Sequence, residues 1–124
     1  MKAISTTKAP GAIGPYSQAI EVGDFIYTSG QIPIDPTTGT FAEGGIKEHT
    51  RQSLQNIKAI LEEAGSAMEK VIKTTVFLSD MNYFADMNSI YAEFFSEPYP
   101  ARSAVAVKTL PKNALIEIEV VATK

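Results

Sequence analysis

Cysteine and tryptophan are absent from all 124 residues. Without a thiol the chain can form no disulfide, offer no thiolate nucleophile and hold no metal through sulfur. Histidine occurs once, at His49. That excludes a His-pair nuclease and a multi-histidine metal centre, and it leaves a serine nucleophile without an evident base. No apolar run approaches the roughly 20 residues that a membrane-spanning helix needs. The stretch Met1 to Lys8 lacks the apolar segment of a signal peptide, so no membrane association and a cytoplasmic location are predicted. Arginine is scarce too. Of eleven positive side chains only Arg51 and Arg102 are arginines, and the net charge is −3. Positive residues are scattered and form no basic stripe, which argues against a nucleic-acid partner, since counterion release needs clustered cations.

With 44% hydrophobic and 20% charged residues, the chain can bury a core and reads as a single domain, residues 1–124. Lys2 to Thr7 suits an edge strand, and Ala9 to Pro15, punctuated by glycine and proline, a loop. Two β-type runs, Gln18–Val22 and Phe25–Ser29, flank Gly23-Asp24 as a hairpin. Pro33, Pro36 and Gly39 mark Ile32 to Thr40 as loop with little regular structure. Helical periodicity of Leu54, Ile57, Leu61 and Ala64, with Ile60 beside them, predicts a helix over about 46–64, stopped by Gly65. Val71 to Ser79 reads as a long strand, apolar on both faces, with Val71, Thr75 and Phe77 on one side and Ile72, Val76 and Leu78 on the other. Asn82 is placed to cap a second helix over about 83–96, carrying Phe84, Met87, Tyr91 and Phe94. The spans Arg102–Leu110 and Leu115–Thr123, joined by a turn at Pro111-Lys112-Asn113, read as a C-terminal hairpin.

The predicted order β-β-β-α-β-α-β-β is an α+β domain, one sheet with two helices packed on one face. The other face is then bare, yet apolar. Large exposed apolar faces mark interfaces, so a closed homo-oligomer with sheets packed together is expected, and its subunit clefts are natural sites.

Several residues qualify as chemical groups. Arg102 enters a strand behind Pro98 and Pro100, which restrain the backbone. A guanidinium is a planar fork suited to gripping a carboxylate, unlike the mobile ammonium of lysine; the competing role is a surface ion pair. Glu117 shares a strand face with Glu119 in an otherwise apolar segment. Burial there would raise its pKa and make it a usable acid or base, whereas full solvation would leave it ordinary. Ser29 and Gly30 can present a hydroxyl and a backbone N–H at a strand end. Asn88 borders the apolar stripe of the second helix and must find partners. Tyr16, after Gly14-Pro15, can wall a pocket. His49, near a helix start, is expected to face solvent.

The segments Gly14-Pro15-Tyr16-Ser17-Gln18-Ala19, Thr28-Ser29-Gly30-Gln31-Ile32-Pro33, Lys73-Thr74-Thr75-Val76-Phe77-Leu78, Pro100-Ala101-Arg102-Ser103 and Ile116-Glu117-Ile118-Glu119 together resemble the RidA/YjgF family of reactive-intermediate deaminases, in order along nearly the whole chain. The resemblance implies a chorismate-mutase-like α+β fold, a homotrimer with sites between subunits, no metal and no cofactor. It implies hydrolysis of 2-iminobutanoate and 2-iminopropanoate to 2-keto acids and ammonia. Arg102 would pair with the substrate carboxylate and Glu117 would activate water. Tyr16, Ser29, Gly30, Asn88 and the backbone of Ala104 would contact substrate or water. Some members carry cysteine where this chain has Ala104, so a thiol role is excluded. Similar proteins are also described as endoribonuclease L-PSP or translation inhibitors, and a non-catalytic sensor of 2-keto or amino acids would use the same arginine.

Overall fold

The computed structural model describes residues 1–124. The chain opens with three antiparallel strands, β1 (Lys2–Ile4), β2 (Ala19–Val22) and β3 (Phe25–Thr28), the last two joined as the predicted hairpin. Between β1 and β2 the glycine- and proline-rich loop is pinned by Gln18. Its buried amide accepts from the Thr6 N–H at 2.7 Å and donates to the Pro10 carbonyl at 2.7 Å. A short second hairpin follows, β4 (Ile34–Asp35) with β5 (Thr40–Phe41). This corrects the reading of Ile32 to Thr40 as mere loop. The Asp35 carboxylate accepts from the Thr37 N–H at 2.8 Å and its hydroxyl at 2.7 Å, an Asx-type turn that closes the ribbon.

Helix α1 spans Ile46–Glu63. The Glu48 carboxylate accepts from the Gly45 N–H at 2.9 Å, satisfying one free donor at its start. Leu54, Ile57, Ile60 and Leu61 are fully buried as the periodicity requires, and Gly65 takes a left-handed φ of +79° just beyond the end. His49 does not face solvent. The strand β5 folds back against this turn, so the imidazole is buried. Its Nε2 donates to the Ala42 carbonyl at 2.8 Å, and its ring centroid lies 5.7 Å from that of Phe41.

Strand β6 (Val71–Leu78) lies inside the sheet. A bulge between Val71 and Lys73 breaks strict alternation, so Val71 joins Thr74, Val76 and Leu78 on the buried side while Ile72 is exposed. Helix α2 is shorter than its apolar pattern implies, Phe84–Tyr91. The turn before it is capped by Asp80, not Asn82: the Asp80 carboxylate accepts from the Asn82 N–H at 2.8 Å. Past Tyr91 the chain breaks into turns that bring the Phe95 ring within 4.5 Å of the Tyr91 ring.

The last strands, β7 (Ala101–Ala106) and β8 (Ile116–Thr123), do not form the predicted hairpin. β6 lies between them, parallel to β7 and antiparallel to β8, in the order β1-β2-β3-β8-β6-β7. The reason is topological. A strand–helix–strand connection through α2 sets β7 beside β6 as a parallel neighbour. The most apolar strand, β6, then takes a covered position and the largely exposed β7 becomes the edge.

Both helices cover one sheet face. Ile26, Val76, Leu78, Ile116, Ile118 and Val120 pack with Leu54, Ile57, Ile60, Leu61 and Met87 in one core cluster. The opposite face is open and apolar, with Phe25 41%, Tyr27 47% and Val105 46% exposed, as anticipated. No helix is long and apolar enough to cross a membrane.

Candidate functional site

Arg102 sits on β7 opposite Thr74 of β6. Paired residues of neighbouring strands point to the same face, so Arg102 projects to the side covered by α2. Its Nη1 donates to the Asn88 Oδ1 at 2.6 Å. The guanidinium carbon stands 4.7 Å from the Tyr91 ring centroid and 5.4 Å from that of Phe84, within reach of cation–π attraction. Arg102 is not an ion-paired surface residue. The acidic partner goes to the other arginine: Arg51 grips Glu93 through a fork of 2.9 and 3.3 Å that ties α1 to the end of α2. Arg102 has no carboxylate of its own. It opens on a hollow of about 450 Å³ lined also by Asn88, Tyr91, Ala92, Tyr99 and Pro100. A fixed, uncompensated guanidinium in a half-apolar hollow has the chemistry to receive a small carboxylate.

Glu117 is half-buried on β8, opposite Phe77 of β6. Burial pushes its pKa above the ordinary carboxylate value, and the charge of Glu119 pushes it further the same way. Gly30 packs directly against it. A Cβ built at Gly30 would stand 2.8 Å from Cδ and 2.9 Å from Cγ of Glu117, so only glycine lets the carboxylate lie over this strand end. Gly30→Ala is therefore expected to rotate a flexible side chain, not to break the backbone. Thermal unfolding should show stability within about 1 kcal/mol of the parent, while any activity that depends on the Glu117 carboxylate falls by at least about tenfold.

Tyr16 is 54% exposed and shares a second hollow, about 310 Å³, with Gly30, Gln31, Ile32 and Lys112. The Ser29 hydroxyl donates to the Ser17 carbonyl at 2.6 Å and the Ser29 N–H donates to the Gln18 carbonyl at 2.9 Å. Ser29 thus ties the Tyr16 loop to the end of β3, with both its hydroxyl and its N–H already donating. Ala104 lies opposite Val76 and packs against the core from the helix-covered face.

The predicted residues therefore fall into two groups. Arg102, Asn88 and Ala104 belong to the helix-covered side of the β7 edge. Glu117 lies on the open face with Gly30 against it, and Tyr16 shares a hollow with Gly30. Across the sheet, Glu117 aligns through Phe77 with Val105, three residues beyond Arg102. Strand spacings put Arg102 and Glu117 about 10 Å apart across the sheet and about 10 Å apart along it, on opposite faces. One protomer cannot close both around one small molecule. Sequence reasoning did not single out Tyr91, Tyr99 or Gln18 for the site. Tyr91 reads as core because it is core on one side, and only its spacing of three residues from Asn88 hints at a shared face.

The family model described as endoribonuclease L-PSP matches residues 6–124. The chain belongs to that family. A RutC family protein of Pyrococcus abyssi is 59% identical over 98% of this chain and 95% of its own length. A protein of Salmonella typhimurium named 2-iminobutanoate/2-iminopropanoate deaminase is 50% identical over 99% of this chain and 98% of its own. The structure of E. coli TdcF with bound serine superposes with a TM-score of 0.95 at 46% identity, covering 100% of this chain and 99% of that one. The YjgF product of E. coli likewise superposes at a TM-score of 0.95 and 48% identity. The resemblance read from the motifs to RidA/YjgF proteins thus holds for both sequence and fold. The strand order keeps the two groups apart: β6 lies between the Arg102 strand β7 and the Glu117 strand β8, and the two side chains take opposite faces.

Proposed function

We propose that this protein hydrolyses small 2-imino acids, 2-iminobutanoate and 2-iminopropanoate, to 2-keto acids and ammonia, in a site completed between two protomers of a homotrimer. The observation that carries the reading is the unpaired Arg102 guanidinium, already fixed by Asn88 and facing a hollow. Support comes from the relatives about half identical that bear the deaminase name and from TdcF, which holds serine, an α-carboxylate ligand. The open apolar face supplies the surface for association, and association is what brings a Glu117 half-site to an Arg102 half-site.

The chemistry needs little more than these parts. Arg102 receives the substrate carboxylate and orients the C=N carbon beside it. The ionised Glu117 takes a proton from a water whose oxygen bonds to that carbon, giving a carbinolamine. Glu117 passes that proton to nitrogen, the C–N bond breaks as ammonia leaves, and the again-ionised Glu117 takes the hydroxyl proton as the C=O forms. A protonated imine carbon is already electrophilic, so aiming one water and holding the carboxylate supply most of the acceleration. Tyr16, Ser29, Gly30, Asn88 and the Ala104 backbone would contact substrate or the attacking water.

The test couples a pyridoxal-phosphate-dependent threonine dehydratase to this protein and follows 2-ketobutanoate formation. A rate well above spontaneous imine hydrolysis is expected. No acceleration, with 2-ketobutanoate still binding, would turn the assignment to a sensor.

A further inference from the structure

We infer that Tyr91, locked in place by Thr74, is a positioning residue for Arg102: it holds the guanidinium plane so that the free N–H edge points into the hollow. The inference rests on Arg102 being the carboxylate anchor and adds the part that fixes its direction. An arginine side chain has four rotatable bonds, and one hydrogen bond to Asn88 restrains a single corner of the fork. The 2.6 Å contact from Nη1 to Asn88 still leaves the plane free to swing about that point. The Tyr91 ring, its centroid 4.7 Å from the guanidinium carbon, limits that swing, because moving the cation off the ring face loses the contact. The Phe84 ring at 5.4 Å closes the side.

Tyr91 can serve this way only if its own ring is fixed, and the structure fixes it at the far end. The phenol oxygen lies 2.8 Å from the Thr74 Oγ1, in a buried pair between α2 and β6. Thr74 is fully buried and Tyr91 nearly so, and the Phe95 ring packs on Tyr91 at 4.5 Å. Thr74 is also the register partner of Arg102 on the adjacent strand. The same rung of the sheet therefore carries both the cation and the residue that anchors its platform. Burial holds the Tyr91 phenol above its ordinary pKa, so it stays neutral and the contact to Arg102 remains a face contact. A threonine hydroxyl at a fully buried sheet position carries a desolvation cost without a partner. The Tyr91 hydroxyl is that partner, and Tyr91 is where the pair leads to the site.

Two measurements test this. The first needs no activity. The chain has only two arginines, Arg51 and Arg102, so its arginine Nε–H region contains two proton–nitrogen NMR correlations, assigned by Arg51→Lys, a residue outside the site. The Arg102 signal should be shifted upfield by the aromatic ring and slow to exchange, and Tyr91→Leu should remove the shift. An unshifted, fast-exchanging Arg102 signal in the parent protein overturns the inference whatever the protein's reaction.

The second measurement is kinetic. Tyr91→Leu should raise KM for the imine, and Kd for 2-ketobutanoate, by about tenfold, with kcat within about threefold. Tyr91→Phe keeps the ring and its packing on Phe95 but loses the bond to Thr74, so it should fall between the parent and Tyr91→Leu, about threefold above the parent in both constants. Equal KM in Tyr91→Leu and the parent would overturn the positioning role. A parental KM in Tyr91→Phe would overturn the Thr74 lock, and an unshifted Arg102 signal in Tyr91→Phe with parental KM would overturn the ring as the platform.

Discussion

Arg102→Ala should lower kcat/KM for imine hydrolysis by about 10²- to 10³-fold and abolish measurable binding of 2-ketobutanoate. The size follows from what is removed. A charge-assisted fork onto a carboxylate in a partly desolvated site is worth roughly 3–4 kcal/mol when one partner is truncated. Arg102→Lys should recover only part of this, since an ammonium keeps the charge but neither the planar fork nor the stacking on Tyr91. The fold should tolerate both changes. Arg102 makes no ion pair, its hydrogen bond is to an exposed asparagine, and it sits on the edge strand. Unfolding midpoints measured beside the kinetics should differ little from the parent. The variant also separates the readings of the site. A 2-keto acid sensor would lose binding without ever having shown turnover. A ribonuclease would respond instead to lysine substitutions and to salt, and the scattered lysines of a chain of net charge −3 offer such an activity no concentrated surface. Retained turnover in Arg102→Ala would refute the anchor.

The architecture was legible where burial and periodicity agree. The stripe of α1 and the alternation of β8 were both correct, because each element has one wet face and one dry face. The errors fall where a local pattern was overruled by a partner distant in sequence. β7 and β8 look like a hairpin across Pro111-Lys112-Asn113, yet α2 had already bound β7 to β6, and the turn spans a strand instead of joining neighbours. Ile72 was assigned to a packed face, but a single bulge reversed it. His49 looked solvated because nothing in its own helix shows that β5 folds over it. For the site, residue types were enough to nominate Arg102 and Glu117, since one of only two arginines, set behind two prolines, and a glutamate between isoleucines are chemically conspicuous. Their placement on opposite faces was not legible, because it depends on the register of three strands. Nor was Tyr91, a buried residue whose place in the apolar stripe of α2 reads as core.

Glu117→Gln should separate catalysis from folding more sharply than any other change. The amide keeps the shape of the carboxylate over Gly30 but cannot accept a proton from water, so kcat should fall by about 10²- to 10⁴-fold, the usual contribution of a general base, with KM little altered. Stability should move the other way or not at all. Burial first, and the Glu119 charge second, raise the Glu117 pKa, which means the fold disfavours the ionised form. A carboxyl with a raised folded-state pKa contributes stability that is complete below its unfolded pKa and is lost as pH rises through the folded value. At neutral pH the parent therefore carries a strained carboxylate that the glutamine variant does not. Activity has the opposite pH sign, because the working base is the ionised form: kcat/KM should rise with pH through an acid limb that lies above the ordinary carboxylate range. Glu119→Gln removes one of the two causes, so that limb should move to lower pH while the plateau rate stays near the parent value. A pH profile unchanged by Glu119→Gln would mean that the titrating base is another group. A Glu117→Gln variant with parental kcat would remove Glu117 from the reaction.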